Sequence, residues 1–307
     1  MGTSVVRELL RDGPLLTDGA WGTELQARGL GLGECADAWN LSHPEQVRAV
    51  GKSYVDAGSR VILTNTFRAN SIALAEQGLG AQMAEINAAG VQLSRESCEG
   101  RDVHVIASIG PSGTMCAPGA AVSDKLRRCF AEQCEALAEA RPDALLLETM
   151  VDLTEAQIAL RAARETGLPV IVSFAFFAGE NRDQAMTGAT PEQVVAAMEA
   201  GGADGVGANC VNGMELLAEI CARMRAATKL PLWMKANAGI PEIVAGKTVY
   251  QMQPDEFASH LPALVEAGAD FVGGCCGSTP AYIRALRMRW EAYTAARLGE
   301  GSPRSQP

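Results

Sequence analysis

Eight short apolar runs alternate with helix-period segments from one end of the 307-residue chain to the other, and that alternation limits the available folds more than any single motif. Strands are expected at Leu15–Thr17, Val61–Thr64, Val103–Ser108, Ala144–Leu147, Val170–Phe174, Gly205–Ala208, Leu232–Lys235 and Phe271–Gly273. Between them the period predicts helices at Glu45–Ala57, Gln82–Cys98, Asp124–Ala140, Leu153–Glu165, Pro191–Ala200, Met214–Ala226, Asp255–Glu266 and Ala281–Ala295, many starting near Pro, Ser, Thr or Asp. The joints DAGSRVILTNT, EAGGADGVGANC and EAGADFVGGCC repeat one pattern, a helix end, a glycine able to turn left-handed, and an apolar strand. Strand–helix alternation places strands in parallel, and eight units in this length favour a (β/α)8 barrel, a TIM barrel, as a single domain over residues 1–297. An open doubly wound sheet is the alternative. Residues 298–307, ending in GEGSPRSQP, are expected to form a disordered tail.

With 48% hydrophobic residues and 20% charged, the chain can bury a large core. Its net charge of -10 argues against nucleic-acid and anionic-membrane partners, which would repel it. The basic run Arg284–Arg289 has helical spacing and reads as a solvated helix face. MGTSVVRELLRDG lacks the apolar core of a secretory signal, and no stretch is long enough to span a bilayer, so a cytoplasmic location is expected. In a reducing compartment nine cysteines are not a disulfide framework. Cys98, Cys129, Cys134 and Cys221 fall in helical patterns and read as core fillers.

In such a barrel the active site gathers at the C-terminal strand ends. The exits here are polar: Asp18-Gly19-Ala20-Trp21-Gly22-Thr23, Asn65-Thr66-Phe67, Gly110-Pro111-Ser112-Gly113, Glu148-Thr149, Asn209-Cys210, Asn237-Ala238-Gly239 and Cys275-Cys276-Gly277. Cys210, Cys275 and Cys276 thus reach one rim from two strand ends. Three thiolates suit tetrahedral zinc and leave its fourth position to a substrate. His43, His104 and His260 fall away from the rim. Core packing or an incidental disulfide is the bland alternative for the adjacent pair, and Cys35 and Cys116, in loops near the rim, are competing ligands. Zn2+ with three thiolates carries a net negative charge, which makes it a poor generator of hydroxide but a good holder of a fourth thiolate. That suits thiol alkylation.

Glu148 and Asp18 stand where carboxylates could bind an ammonium group, although each could equally serve as a helix cap or in a rim salt bridge. The amides of Asp18–Thr23 could hold a carboxylate. An amino-acid thiol would meet both. Asn237 could hydrogen-bond that substrate or occupy the vacant zinc position.

DGAWGTEL, ILTNTF, IGPSG, ETM followed by VD, MTG, GANC, NAG and GGCCGSTP, in order along almost the whole chain, resemble the homocysteine-binding domain of the zinc-dependent homocysteine S-methyltransferases. The resemblance implies a (β/α)8 barrel that methylates homocysteine to methionine. It also implies zinc on Cys210, Cys275 and Cys276, the homocysteine amino group on Glu148 and Asp18, and its carboxylate on amides around Ala20 and Trp21. GGCCG and NAG look most like the N-terminal module of cobalamin-dependent methionine synthase, which implies methylcobalamin on a separate corrinoid protein or domain as donor. The S-methylmethionine branch tends to carry Arg where this chain has Gly277, and the betaine branch adds a C-terminal dimerisation extension. Those donors, another thiol acceptor, or a non-catalytic zinc- and homocysteine-binding subunit or sensor are the alternatives.

Overall fold

Each of the eight apolar runs becomes a strand of one parallel sheet in a computed structural model that describes residues 5–10, 13–31, 33–114, 120–244 and 247–300. The strands are β1 (Leu15–Leu16), β2 (Val61–Leu63), β3 (His104–Ile109), β4 (Ala144–Met150), β5 (Val170–Phe174), β6 (Gly205–Val211), β7 (Leu232–Ala236) and β10 (Phe271–Gly274). A two-stranded antiparallel hairpin, β8 (Pro241–Val244) and β9 (Lys247–Tyr250), stands apart from the sheet. Sheet order is β1-β10-β7-β6-β5-β4-β3-β2, each neighbour parallel. The β1–β2 seam is joined by the Arg60 N–H on the Leu16 carbonyl at 2.8 Å and by the Leu63 N–H on the Asp18 carboxylate at 2.7 Å. The result is a nearly closed (β/α)8 barrel, and the open-sheet alternative falls away.

Local chemistry explains the joints. The glycines that end the helices before β2, β6 and β10 take positive φ: +113° at Gly58, +83° at Gly202 and +101° at Gly268. After the last two, Asp204 and Asp270 accept the first N–H of the neighbouring strand, Val170 at 3.0 Å and Leu232 at 2.8 Å. Asp143 accepts from Val105, the second residue of β3, at 2.7 Å. At these three joints one side chain thereby supplies an acceptor for an amide near the start of a strand. Thr190 and Gln193 form a capping box on the helix Pro191–Ala200, and Asp152 caps Leu153–Glu165.

Strand positions follow the apolar runs, with β4 and β6 running further than their hydrophobic pattern. The single helix expected at Asp255–Glu266 is two, Pro254–Ser259 and Leu261–Glu266. Pro262 has no N–H to continue the ladder and its ring opposes the carbonyl four residues back. The hairpin was missed because PEIV and KTVY are too short and mixed for a clear period. The last helix extends to Glu300, and the rest of the expected tail, 301–307, lies outside the described residues. Arg284, Arg287 and Arg289 are exposed on that helix, and Cys98, Cys129, Cys134 and Cys221 are buried, as expected. Among the described residues no helix is long and apolar enough to cross a membrane.

Candidate active site

Two irregularities shape the C-terminal rim. The β4–β5 register shifts between Leu147 and Met150, and the β6–β7 register shifts between Asn209 and Val211. At these bulges Thr149 and Cys210 take φ of +59° and +56°. Non-glycine residues pay for that conformation with strain, and bulges re-aim a side chain at the end of a strand. Asn209, fully buried, ties the two together: its Oδ1 accepts from the Thr149 N–H at 2.9 Å and the Ser173 hydroxyl at 2.7 Å, and its Nδ2 donates to Thr149 Oγ1 at 2.7 Å.

The bulge on β6 brings Cys210 to the pair that leaves β10. Its Sγ lies 2.9 Å from that of Cys275 and 3.8 Å from that of Cys276, and the three sulfurs lie within 4.8 Å of one another. The turn carrying the pair is fixed by backbone bonds, Cys275 N–H to Ala236 at 2.6 Å and Ala238 N–H to the Cys276 carbonyl at 2.9 Å. Gly274 permits the close return of the chain, since a Cβ there would stand 2.1 Å from Ser278 Oγ. A tetrahedron with arms of ~2.3 Å has edges of ~3.8 Å, so three sulfurs this close form a donor set that fits zinc. Without metal, sulfur hydrogen bonds from Cys210 and Cys275 hold the Cys276 thiol well below its usual range, while those bonds and burial push Cys210 well above.

Among the described residues no histidine joins this group. Cys35 lines the same cavity but stays outside the trio, 3.9 Å from Asp37 Oδ2. Cys116 lies outside the described residues.

A cavity of about 620 Å3 opens onto the trio, walled by Trp21, Phe67, Ser108, Glu148, Lys235 and others. Glu148 is buried and accepts a short hydrogen bond from the Ser108 hydroxyl. Burial pushes its carboxyl up to about 7, against the pull of Lys235. Lys235 was missed: within the apolar run LWMK it read as the end of a strand, with no sign of a partner. Its Nζ sits 2.5 Å from Asp18 Oδ1. Burial alone would push its pKa down, but Asp18, Glu148 and Cys275 outweigh it, so the ammonium is held above the ordinary lysine range.

Three expectations change in detail. Asp18 was expected to meet a substrate ammonium; the ammonium it meets is that of Lys235, and its other oxygen accepts from Trp21 Nε1 at 2.6 Å and the Leu63 N–H. With no exposure at all, it has no face left for substrate. The Ala20 amide donates to the Ser278 carbonyl at 3.0 Å, which leaves the cavity-lining first turn of the helix Trp21–Ala27 to offer free amides. Asn237 accepts the Cys276 N–H on its Oδ1 at 3.1 Å and donates from its Nδ2 to Asn212 Oδ1 at 2.7 Å, bracing the cysteine turn.

The homocysteine S-methyltransferase family model matches residues 15–290. The chain belongs to that family, and it is a methyltransferase by that membership. It is 29% identical to methionine synthase of Mycobacterium tuberculosis over 90% of this chain and 24% of that protein, and 28% identical to the Mycobacterium leprae methionine synthase over 97% of this chain and 26% of that one. It thus spans about a quarter of the length of these relatives. Among solved structures, the metallated form of the homocysteine methyltransferase MmuM from Escherichia coli matches with a TM-score of 0.79 and 26% identity, over 93% of this chain and all of that one.

Proposed function

We propose that the protein transfers a methyl group to the sulfur of homocysteine, giving methionine, at a zinc centre held by Cys210, Cys275 and Cys276. The convergence of three sulfurs from β6 and β10 carries this reading. When bound, zinc with three thiolate ligands keeps a further thiol ionised and nucleophilic at neutral pH. The chain's own residues do the rest. Glu148 receives the substrate ammonium, and the first-turn amides after Ala20, at Trp21 and beyond, receive its carboxylate. Lys235, neutralising Asp18 below, keeps positive charge beside Glu148 so that its carboxylate form is available. Asn237 and Asn209 hold the cysteine-bearing turns in place.

The donor in this reading is methylcobalamin, carried by a corrinoid protein or domain that docks over the rim. Phe177 and Met186, after β5, and Ile240 and Ile243, the latter in β8 of the hairpin after β7, support it: these large apolar side chains are 45%, 43%, 56% and 74% exposed on segments that follow those strand ends. A small donor such as S-methylmethionine or betaine is the second reading, favoured by the cavity's 620 Å3, which exceeds what one small amino acid fills. Localisation in the cytoplasm accords with reduced cysteines.

Incubating the zinc-loaded protein with homocysteine and, in turn, methylcobalamin, S-methylmethionine and betaine tests the reading, with methionine as readout. Turnover with one donor is expected, and Cys276→Ala should lose stoichiometric zinc and methionine formation together. Homocysteine binding without turnover on any donor would instead mark a non-catalytic subunit or sensor.

A further inference from the structure

The cavity has a second polar wall, which homocysteine placed at Glu148 and the first-turn amides leaves unused. It is built by the β2 exit and the short helical turn Ala36–Ala38, and Asp37, Phe67 and Arg68 are among its lining residues. The two segments are locked together: the Arg68 N–H donates to Asp37 Oδ1 at 3.0 Å, and Asn65 Nδ2 donates to the Ala36 carbonyl at 2.7 Å. Two opposite charges therefore stand on one wall, and they do not pair with each other. The Arg68 guanidinium, 57% exposed, has its ion-pair contact with the exposed Glu76 at 3.9 Å, a long and weak one. Asp37 is 4% exposed, and its Oδ2 meets the Cys35 thiol at 3.9 Å, a weak donor at long range. Burial pushes the Asp37 carboxyl up to about 6, against the hydrogen bond and charge of Arg68. Its charged form thus gains from a cation brought into the cavity. Phe67, whose ring packs on Gly110 so closely that a Cβ there would stand 2.5 Å from it, adds an aromatic surface to the same wall.

Resting on the small-donor reading above, we infer that this wall is a subsite for a methyl donor that is itself an α-amino acid sulfonium, with Arg68 holding its carboxylate, Asp37 its ammonium and Phe67 its cationic sulfur. A carboxylate on a guanidinium and an ammonium on a buried carboxylate are the strong charge-assisted bonds such a zwitterion can make, and a sulfonium lies well on an aromatic face. With homocysteine at Glu148, donor and acceptor share one cavity of about 620 Å3. In the transfer the homocysteine thiolate gives an electron pair to the methyl carbon, the bond from that carbon to the sulfonium breaks, and its pair stays on the donor sulfur. S-methylmethionine thus leaves as methionine beside the methionine made from homocysteine, and the positive and negative charges cancel. Betaine has a carboxylate for Arg68 but no second ammonium for Asp37, so the wall selects against it.

Calorimetry of S-methylmethionine on the zinc-loaded full chain, without homocysteine, reads the subsite apart from turnover. Arg68→Met should weaken S-methylmethionine binding about tenfold and Arg68→Lys less, because an ammonium keeps the charge but not the fork. Asp37→Asn, which keeps an acceptor for the Arg68 N–H, should weaken it about 10–100-fold. Homocysteine affinity should be unchanged in all three. Arg68 is exposed, so its variants read the subsite even if Asp37→Asn damages the fold. Wild-type affinity for S-methylmethionine in Arg68→Met would overturn the assignment, and so would an equal loss of homocysteine affinity, which would give the wall to homocysteine. A wild-type chain that makes methionine from methylcobalamin but binds no S-methylmethionine would overturn the subsite and leave the homocysteine reading standing. One that binds S-methylmethionine through Arg68 and Asp37, yet makes no methionine from any donor, would uphold the subsite and overturn that reading.

Discussion

Lys235 and Asp18 form an ion pair of 2.5 Å across the barrel, from the ends of β7 and β1, with side chains 2% and 0% exposed. Lys235 lines the cavity together with Glu148, and its charge acts on that carboxyl as well as on Asp18. Buried charges are costly unless paired, and here one pair serves both the seam of the barrel and the electrostatics of the site.

Lys235→Met should therefore destabilise the fold by roughly 3–5 kcal/mol, since it leaves Asp18 ionised and unpaired. Asp18→Asn combined with Lys235→Met should cost less than the single change, because the uncompensated charge is gone. Thermal or urea unfolding of the two variants decides the matter, and equal losses would show that the pair contributes by packing alone.

Glu148 couples stability to pH. Between 4.5 and about 7 the folded protein holds a proton at Glu148 that the unfolded chain has released, so this group lowers stability as pH rises across that window and not beyond it. Glu148→Gln in the metal-free protein should flatten that slope and raise stability at pH 8 by up to about 3 kcal/mol. Homocysteine affinity should move the opposite way, falling about 10–100-fold at pH 8, because the charge-assisted bond to the ammonium is lost. Denaturant titrations and calorimetric binding at pH 5 and pH 8 measure both.

Asn209→Ala should leave the Thr149 N–H and the Ser173 hydroxyl without their acceptor, a cost of about 1–3 kcal/mol. It should also let Cys210 drift from its strained φ, weakening zinc binding by tenfold or more. Metal-competition assays read the second effect separately from a melting curve.

Cys35→Ala should keep full zinc stoichiometry, since Cys35 stands outside the trio. A drop in bound metal per chain, measured by atomic absorption, would make Cys35 the fourth ligand and turn the centre into a closed structural site.

The amino-acid pattern alone determined the strand and helix alternation, the barrel and the approach of Cys210 to Cys275 and Cys276. These follow from periodicity and from the rule that strands of such a fold end on one rim, both of which are written in local order. It could not show that Asp18 spends its carboxylate on Lys235, 217 residues away, or that a short hairpin lays the Tyr250 ring against Gly277, beside the cysteine pair. Those contacts join residues with no local period between them, and burial, which sets the charge state of Glu148 and Lys235, exists only once the chain has closed on itself. Tertiary structure therefore decided which polar residues face the cavity and which are consumed in holding it, because a polar side chain that has found a buried partner is no longer free for substrate.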